Sequence, residues 1–394
     1  MRVWLLAGSA FALLATGSPA FAAWDDWSIS PLTGDVGDFA YSLGGQAHGT
    51  AFDANEPGHF DLPHATGAAQ ISASVQRDYD SGLSLALKGQ FSIYHDHLSG
   101  DNYGSAFVAK AYLQAQTGLG RIDVGMNDGA GYALAITGPA VNGEVAIDNP
   151  KATLFIDPTT HRSFQRIFTL NSAVESSLNY AKVSYYTPRL FGVQLAMSFT
   201  PSEGKEFIPF LNNGPTVPNR QKYMWEGTAS YSDTFGPVTV SAYGAIIVGH
   251  GEHKTPGHAG LTDWGFGAQA DWEIDDDWKL SAGGAYREAN TYTFNINDAR
   301  TSGTTNSMHL STVLSYGPWS LGGELGNGNA DGSLGDPTIG AHAYTVDAGY
   351  TVNSNLQFTA GWQKLHYARS AGTFFNGAPA INMDAVFLHA VLNI

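Results

Sequence analysis

The chain has 394 residues, a formal net charge of −16 and no cysteine, with 47 glycines, 12% aromatic residues and only 14% charged ones. It has no basic stripe to neutralise phosphates, which excludes nucleic acid as a partner, and its acidity is wrong for a peripheral protein clinging to anionic lipid. Abundant aromatics with little charge argue against intrinsic disorder, the missing cysteines rule out a disulfide framework, and the length does not force two domains.

Residues 1–22 read as a cleaved signal peptide. Arg2 is a short basic head, Val3 to Ala15 is an apolar run, and Ala20-Phe21-Ala22 has the small-x-small pattern of a processing site. An N-terminal anchor is the alternative, but the run is too short for a bilayer core of about 30 Å. No later stretch approaches 18 uninterrupted apolar residues. The mature chain, 23–394, is expected to be exported and to form a single domain.

From Phe39 onward the pattern is strict apolar/polar alternation in runs of roughly ten residues, the period of a strand with one apolar face. The third run is the plainest: Leu83, Leu85, Leu87, Gly89, Phe91 and Ile93 alternate with Ser84, Ala86, Lys88, Gln90, Ser92 and Tyr94. Sixteen such runs follow one another to Ile394. Their apolar faces repeatedly end in aromatics. Trp264 and Trp272 bracket the tenth run, about 26 Å apart at 3.3 Å per residue, close to the height of a membrane apolar band. A soluble sandwich also alternates, but it does not require this girdle spacing.

Seven connections are short and rich in Gly, Pro, Asn and Asp, among them Tyr79 to Gly82, Gly118 to Gly120 and Asn353 to Asn355. Eight others are longer and polar, and the two kinds alternate. An even-stranded barrel with both termini on one side of a membrane needs this arrangement. The predicted fold is all-β: a 16-stranded antiparallel transmembrane β-barrel. The third long connection, Asn127 to Ser176, is far longer than the rest, and structureless loops of that size are functional or disordered.

Three stretches carry a family resemblance. Ala111 to Ala130 (AYLQAQTGLGRIDVGMNDGA), Val183 to Pro201 (VSYYTPRLFGVQLAMSFTP) and the C-terminal alternation resemble the general diffusion porins of Gram-negative outer membranes. The chain ends in Ile394 where that family usually ends in Phe, and has Met126 where the family tends to place a pore-facing arginine. The resemblance implies an outer-membrane homotrimer in contact with lipopolysaccharide and phospholipid, passing ions and small hydrophilic solutes. It also implies a long third loop folded into the pore to narrow it.

The charges suit such a constriction. The long loop carries Asp128, Glu144, Asp148, Asp157 and Glu175 against Lys151, Arg162 and Arg166. Neighbouring polar faces carry Lys88, Lys110, Arg121 and Lys182. Acids on the loop facing cations on that wall would set a transverse field that orders water and penalises apolar solutes. The expected constriction set is Glu144, Asp148, Asp157, Lys88, Lys110, Arg121 and Lys182. The bland alternative is isolated, solvated lumen charges. With the net negative charge, the set predicts a mildly cation-selective path.

Other functions leave weaker signals. His95, His97, His250, His253 and His258 fall in long connections among glycines and prolines, where solvated side chains account for them, so neither metal nor cofactor is expected. His309, Ser311 and Glu324 share polar faces of adjacent runs, as a rim hydrolase would require, but polar residues are also the default lining of a wide pore. The alternative is a substrate-selective channel for sugars or anions, but Tyr112, Tyr186 and Tyr243, which fall on polar faces, do not form the clear track of a sugar pore. A purely structural barrel would conduct no ions.

Overall fold

The computed structural model describes residues 28–55, 65–95, 108–149, 156–157, 162–163, 170–202, 221–251, 260–291, 302–331, 338–373 and 377–394. The expected signal peptide, most of the connection histidines, Lys151 and Arg166 lie outside them. The strands before the long connection are β1 (Leu32–Val36), β2 (Phe39–Asn55), β3 (Ala65–Asp78), β4 (Ser84–His95), β5 (Val108–Thr117) and β6 (Gly120–Met126). The connection holds a four-residue helix α1 (Ala130–Ala133) and the two-residue strands β7 (Ile156–Asp157) and β8 (Arg162–Ser163). Then come β9 (Ala181–Tyr186), β10 (Val193–Ser202), β11 (Gln221–Phe235), β12 (Val238–Gly251), β13 (Thr262–Glu273) and β14 (Trp278–Thr291). The chain finishes with β15 (Ser302–Tyr316), β16 (Trp319–Ala330), β17 (Ile339–Thr351), β18 (Leu356–Arg369) and β19 (Ala380–Asn393).

Pairing is antiparallel throughout and closes on itself. β2 to β6 pair in sequence order, β6 pairs with β9, β9 with β10, and so on to β19, which returns to β2. The result is a barrel of sixteen strands, and closure leaves none of them with a free edge.

β1 was not expected. It pairs with Phe39 to Leu43 of β2, while β19 pairs with Gln46 to Asn55 of the same strand. The two therefore share one edge end to end. Gly45 and Ile394 exchange both backbone hydrogen bonds between them, at 2.9 and 2.8 Å.

The alternation sets the two faces. Leu87, Leu113, Leu195, Trp225, Phe266, Trp272, Leu321, Val346 and Leu388 are all exposed on the outer face, whereas intervening Ser198, Thr228, Glu226, Asp263, Glu324 and Thr345 are buried. Hydrocarbon outside, with every strand amide paired, is the only arrangement of strands that lipid tolerates.

The inner face is less uniformly polar than the alternation suggests. Phe52, Leu365, Tyr367, Ile381, Met383 and Phe387 form a buried cluster with Val145, Ile147 and Leu170 of the long connection. A second cluster joins Val174 of that connection to Met224, Tyr243, Ile247 and Leu261. These strand positions are apolar because other protein atoms cover them.

Candidate functional site

The distinctive feature of the barrel is the connection 127–180 and the inward side chains it meets. It leaves the wall after β6 and is tied to much of the opposite wall. The Ala130 N–H donates to Ser198 Oγ on β10 (2.8 Å) and the Gly131 N–H to Glu226 Oε2 on β11 (3.1 Å). His309 on β15 donates from Nδ1 to the Thr137 carbonyl (2.7 Å). On β18, Gln357 receives the Asn142 amide at 3.2 Å and donates to the Val141 carbonyl at 3.0 Å. The Ile147 N–H then donates to Glu324 Oε2 on β16 (3.2 Å).

The return path is anchored as firmly. The Ser307 hydroxyl on β15 donates to the Asn171 carbonyl (2.5 Å), and Tyr243 on β12 to the Ser172 carbonyl (3.2 Å). The Ser176 N–H and hydroxyl both donate to Asp263 Oδ2 on β13, at 3.0 and 2.6 Å. Asp263 is itself held by Arg287 of β14 through two 2.9 Å contacts. Glycines permit the approach: a Cβ on Gly267 of β13 would stand 2.0 Å from the Ile136 carbonyl oxygen, and one on Gly322 of β16 would stand 2.5 Å from Val141.

The expected constriction residues divide into two groups. Lys110 and Asp128 form an ion pair at 2.5 Å. Arg121 pairs with Asp123 of its own strand at 3.2 Å and lies over the Tyr186 ring, 4.0 Å from its centre. Lys88 is half-buried opposite Tyr112 and makes no ion pair among the described residues. Glu144 stands 3.9 Å from His48.

Lys182, buried, and Asp148, nearly so, are anchors. The Lys182 side chain is 3% exposed and donates to the Ser177 carbonyl (3.2 Å), the Ser177 hydroxyl (2.9 Å) and the Leu178 carbonyl, which holds the return to β9. Asp148 accepts from the Ser172 N–H and hydroxyl at 2.6 and 2.8 Å, with His309 at 3.9 Å. Burial pushes the Asp148 carboxyl above its usual range, opposed by His309 and by the Ser172 hydrogen bonds. Asp157 lies in β7, in register with Arg162 of β8. Its side chain is outside the described residues.

Sequence reasoning missed Glu226, Asp263, Arg287 and Gln357. All four stand at polar positions of the alternation, so tallying inward polar groups on every strand, and not only those flanking the long connection, would have found them.

The hydrolase arrangement does not assemble. His309 Nε2 meets Glu324 Oε2 at 3.0 Å while Nδ1 donates to the Thr137 carbonyl, so both nitrogens are engaged. Ser311 Oγ is buried and has no hydrogen-bond partner among the described residues. A nucleophile needs a base within hydrogen-bond reach, and the described residues place none beside Ser311 Oγ.

Comparison with known proteins follows from this architecture. A family model described as Gram-negative porin matches residues 9–378. The chain belongs to that Gram-negative porin family. No curated protein sequence matches it. Among solved structures, this porin resembles Salmonella typhi OmpF in complex with daunomycin, at 13% identity and TM-score 0.57, over 92% of this chain and 100% of that one. An anion-selective porin from Comamonas acidovorans matches at 12% identity and TM-score 0.54, over 90% and 100% of the two chains. The trimer form of OmpT, an outer membrane protein of Vibrio cholerae, matches at 12% identity and TM-score 0.54, over 90% and 99%. At such identities the likeness is one of fold.

Proposed function

We propose that this porin forms a water-filled outer-membrane channel for passive diffusion of ions and small hydrophilic solutes, narrowed by the connection 127–180 lying across its lumen. The observation that carries the reading is the run of hydrogen bonds from that connection to inward residues of β10, β11, β12, β13, β15, β16 and β18. A segment tied along one wall leaves the water path against the other, formed by β3 to β6 and the part of β2 not covered around Phe52.

That remaining wall is hydrophilic. Gln90 donates to Gln70 at 2.6 Å, Gln70 to Gln46 at 3.3 Å and Gln46 to Asn393 at 3.0 Å, so a row of amides crosses β4, β3, β2 and β19. Lys88, Lys110 with Asp128, and Arg121 with Asp123 continue it, and Glu144 approaches from the connection. Lys88, Lys110, Arg121 and Glu144 line the constriction on this reading, while Asp148 and Lys182 hold the connection in place.

With two of the three wall cations paired to acids, the net charge of −16 sets the balance, and the channel prefers cations mildly. Recording in a planar bilayer under a potassium chloride gradient tests both claims. The expected reversal potential favours potassium. A chloride preference would overturn the selectivity, and absence of conductance would overturn the channel.

The porin assembles as a homotrimer through β2, β3 and β5. Every described tryptophan lies on β11 to β18, whereas the outward positions of β2, β3 and β5 include Ala47, Gly49, Ala51, Ala69, Ala73 and Ala111. A wall without a described tryptophan and with several small side chains suits contact with protein better than contact with lipid.

A further inference from the structure

Inside the seam between β19 and β2, two histidines and a glutamate come together from three parts of the chain. His389 of β19 lies opposite Thr50 of β2, and His48 lies two residues along β2 on the same face. Their ring centres are 5.5 Å apart. An imidazole nitrogen binds zinc at about 2.0–2.1 Å and sits roughly 1.1 Å from its own ring centre, so two rings sharing one ion have centres within about 6.4 Å. The observed separation satisfies that limit.

The surroundings are those of an oriented ligand. His389 Nδ1 is 2.7 Å from Thr50 Oγ1, which fixes the ring, as the outer partner of a metal-bound histidine does. His389 is fully buried, yet its Nε2 has no hydrogen-bond partner among the described residues. A buried ring nitrogen left so is unfavourable unless something completes it. Glu144 Oε2 stands 3.9 Å from His48 Nε2, on a turn pinned by its own N–H donating to Asn142 Oδ1 at 2.9 Å. Among the described residues no three such side chains already surround one point. The Glu144 side chain, 32% exposed, has the freedom to swing onto an ion held by the imidazoles.

We propose that His48, His389 and Glu144 bind a divalent transition-metal ion of the zinc class, clamping the 127–180 connection to the β2–β19 seam. Two imidazoles and one carboxylate suit zinc, copper or nickel, and not magnesium or calcium, which take oxygen ligands. The ion would partly obstruct the water path. That consequence rests on the channel reading above, whereas the binding itself does not.

The test uses the full-length protein in detergent and in planar bilayers. Zinc binding is followed by calorimetry and current by single-channel recording, each variant normalised to its own zinc-free current. Zinc chloride should reduce the current saturably, and magnesium chloride should not. His389→Asn keeps an amide beside Thr50 while removing Nε2. It and His48→Ala should raise the half-blocking zinc concentration about tenfold or more.

A second histidine pair provides the control. His342 and His366, on the outer face of β17 and β18, have ring centres 6.1 Å apart. His366→Ala should leave the block intact. Wild-type block in both His389→Asn and His48→Ala, or equal block by magnesium, would overturn the proposal. Calorimetric binding that His389→Asn abolishes, in a protein that passes no current, would uphold the site and reject the channel.

Discussion

Single side chains decide how the long connection is held. Asp148 accepts two hydrogen bonds from Ser172 in a buried setting that raises its carboxyl pKa. A raised folded value means that the seated form binds the proton more tightly than the released one. This contribution to seating is complete below the usual carboxylate value of about 3.9 and is lost as pH rises through the elevated one. Asp148→Asn keeps an acceptor for Ser172 and should remove this acid dependence while leaving open-channel noise low. Asp148→Ala forfeits both bonds, a loss on the order of 1–3 kcal/mol for the stranded donors. It should raise that noise at every pH. Some residue-level detail was legible beforehand. Lys110 and Asp128 stand at the mouth of the connection, and their charges alone suggest the pair. Asp263, Arg287 and His48 are far from it in sequence and become relevant only once the strand register is known.

Elements were more legible than residues. Period-two alternation located the sixteen wall strands, because lipid outside and water or protein inside demand opposite chemistry from successive positions. It missed β1, and it is blurred where that contrast disappears. β1 is five residues, LTGDV, too short to show a period. In β19, Val386, Phe387 and Leu388 are consecutive apolar residues, because the inner one, Phe387, packs in the buried cluster with Val145, Ile147 and Leu170. The same close packing makes Gly267 a sensitive point. Its inner side is filled by the Ile136 carbonyl, with Ala285 also close. Gly267→Val should therefore push the connection off β13 without breaking the strand pairing. The expected result is a barrel that still folds by gel mobility but shows larger and more variable conductance. Unchanged single-channel current would refute the idea that this contact sets the path width.

At the scale of the whole molecule, the wall is two-sided around its circumference as well as through its thickness. One arc, β11 to β18, carries all the described tryptophans. The other, from β2 to β5, carries none, mixing small side chains such as Ala69 and Ala73 with Leu87 and Leu113. The alternation gives both arcs the same apolar face, so this contrast emerges only when the strands are arranged around the ring. Ala73→Trp on β3 should weaken trimers, seen as a shift to the monomer on semi-native gels, while the heat-resistant β signal of each barrel persists. An equally bulky change on the opposite arc, such as Leu321→Trp on β16, should leave assembly intact. Equal loss of trimer from both would reject the proposed arc.

The pairing of β19 with β2 brings residues such as Gly49 and Ala390 into contact across more than three hundred positions of chain. Most other neighbours are joined by local hairpins that form quickly, but this contact pays the largest closure entropy in the molecule. Cylinder formation therefore commits late, after the last strand has been delivered. Until then β2 and β18 each offer an unpaired edge, so a chain interrupted before residue 380 should accumulate as an aggregation-prone, unclosed sheet.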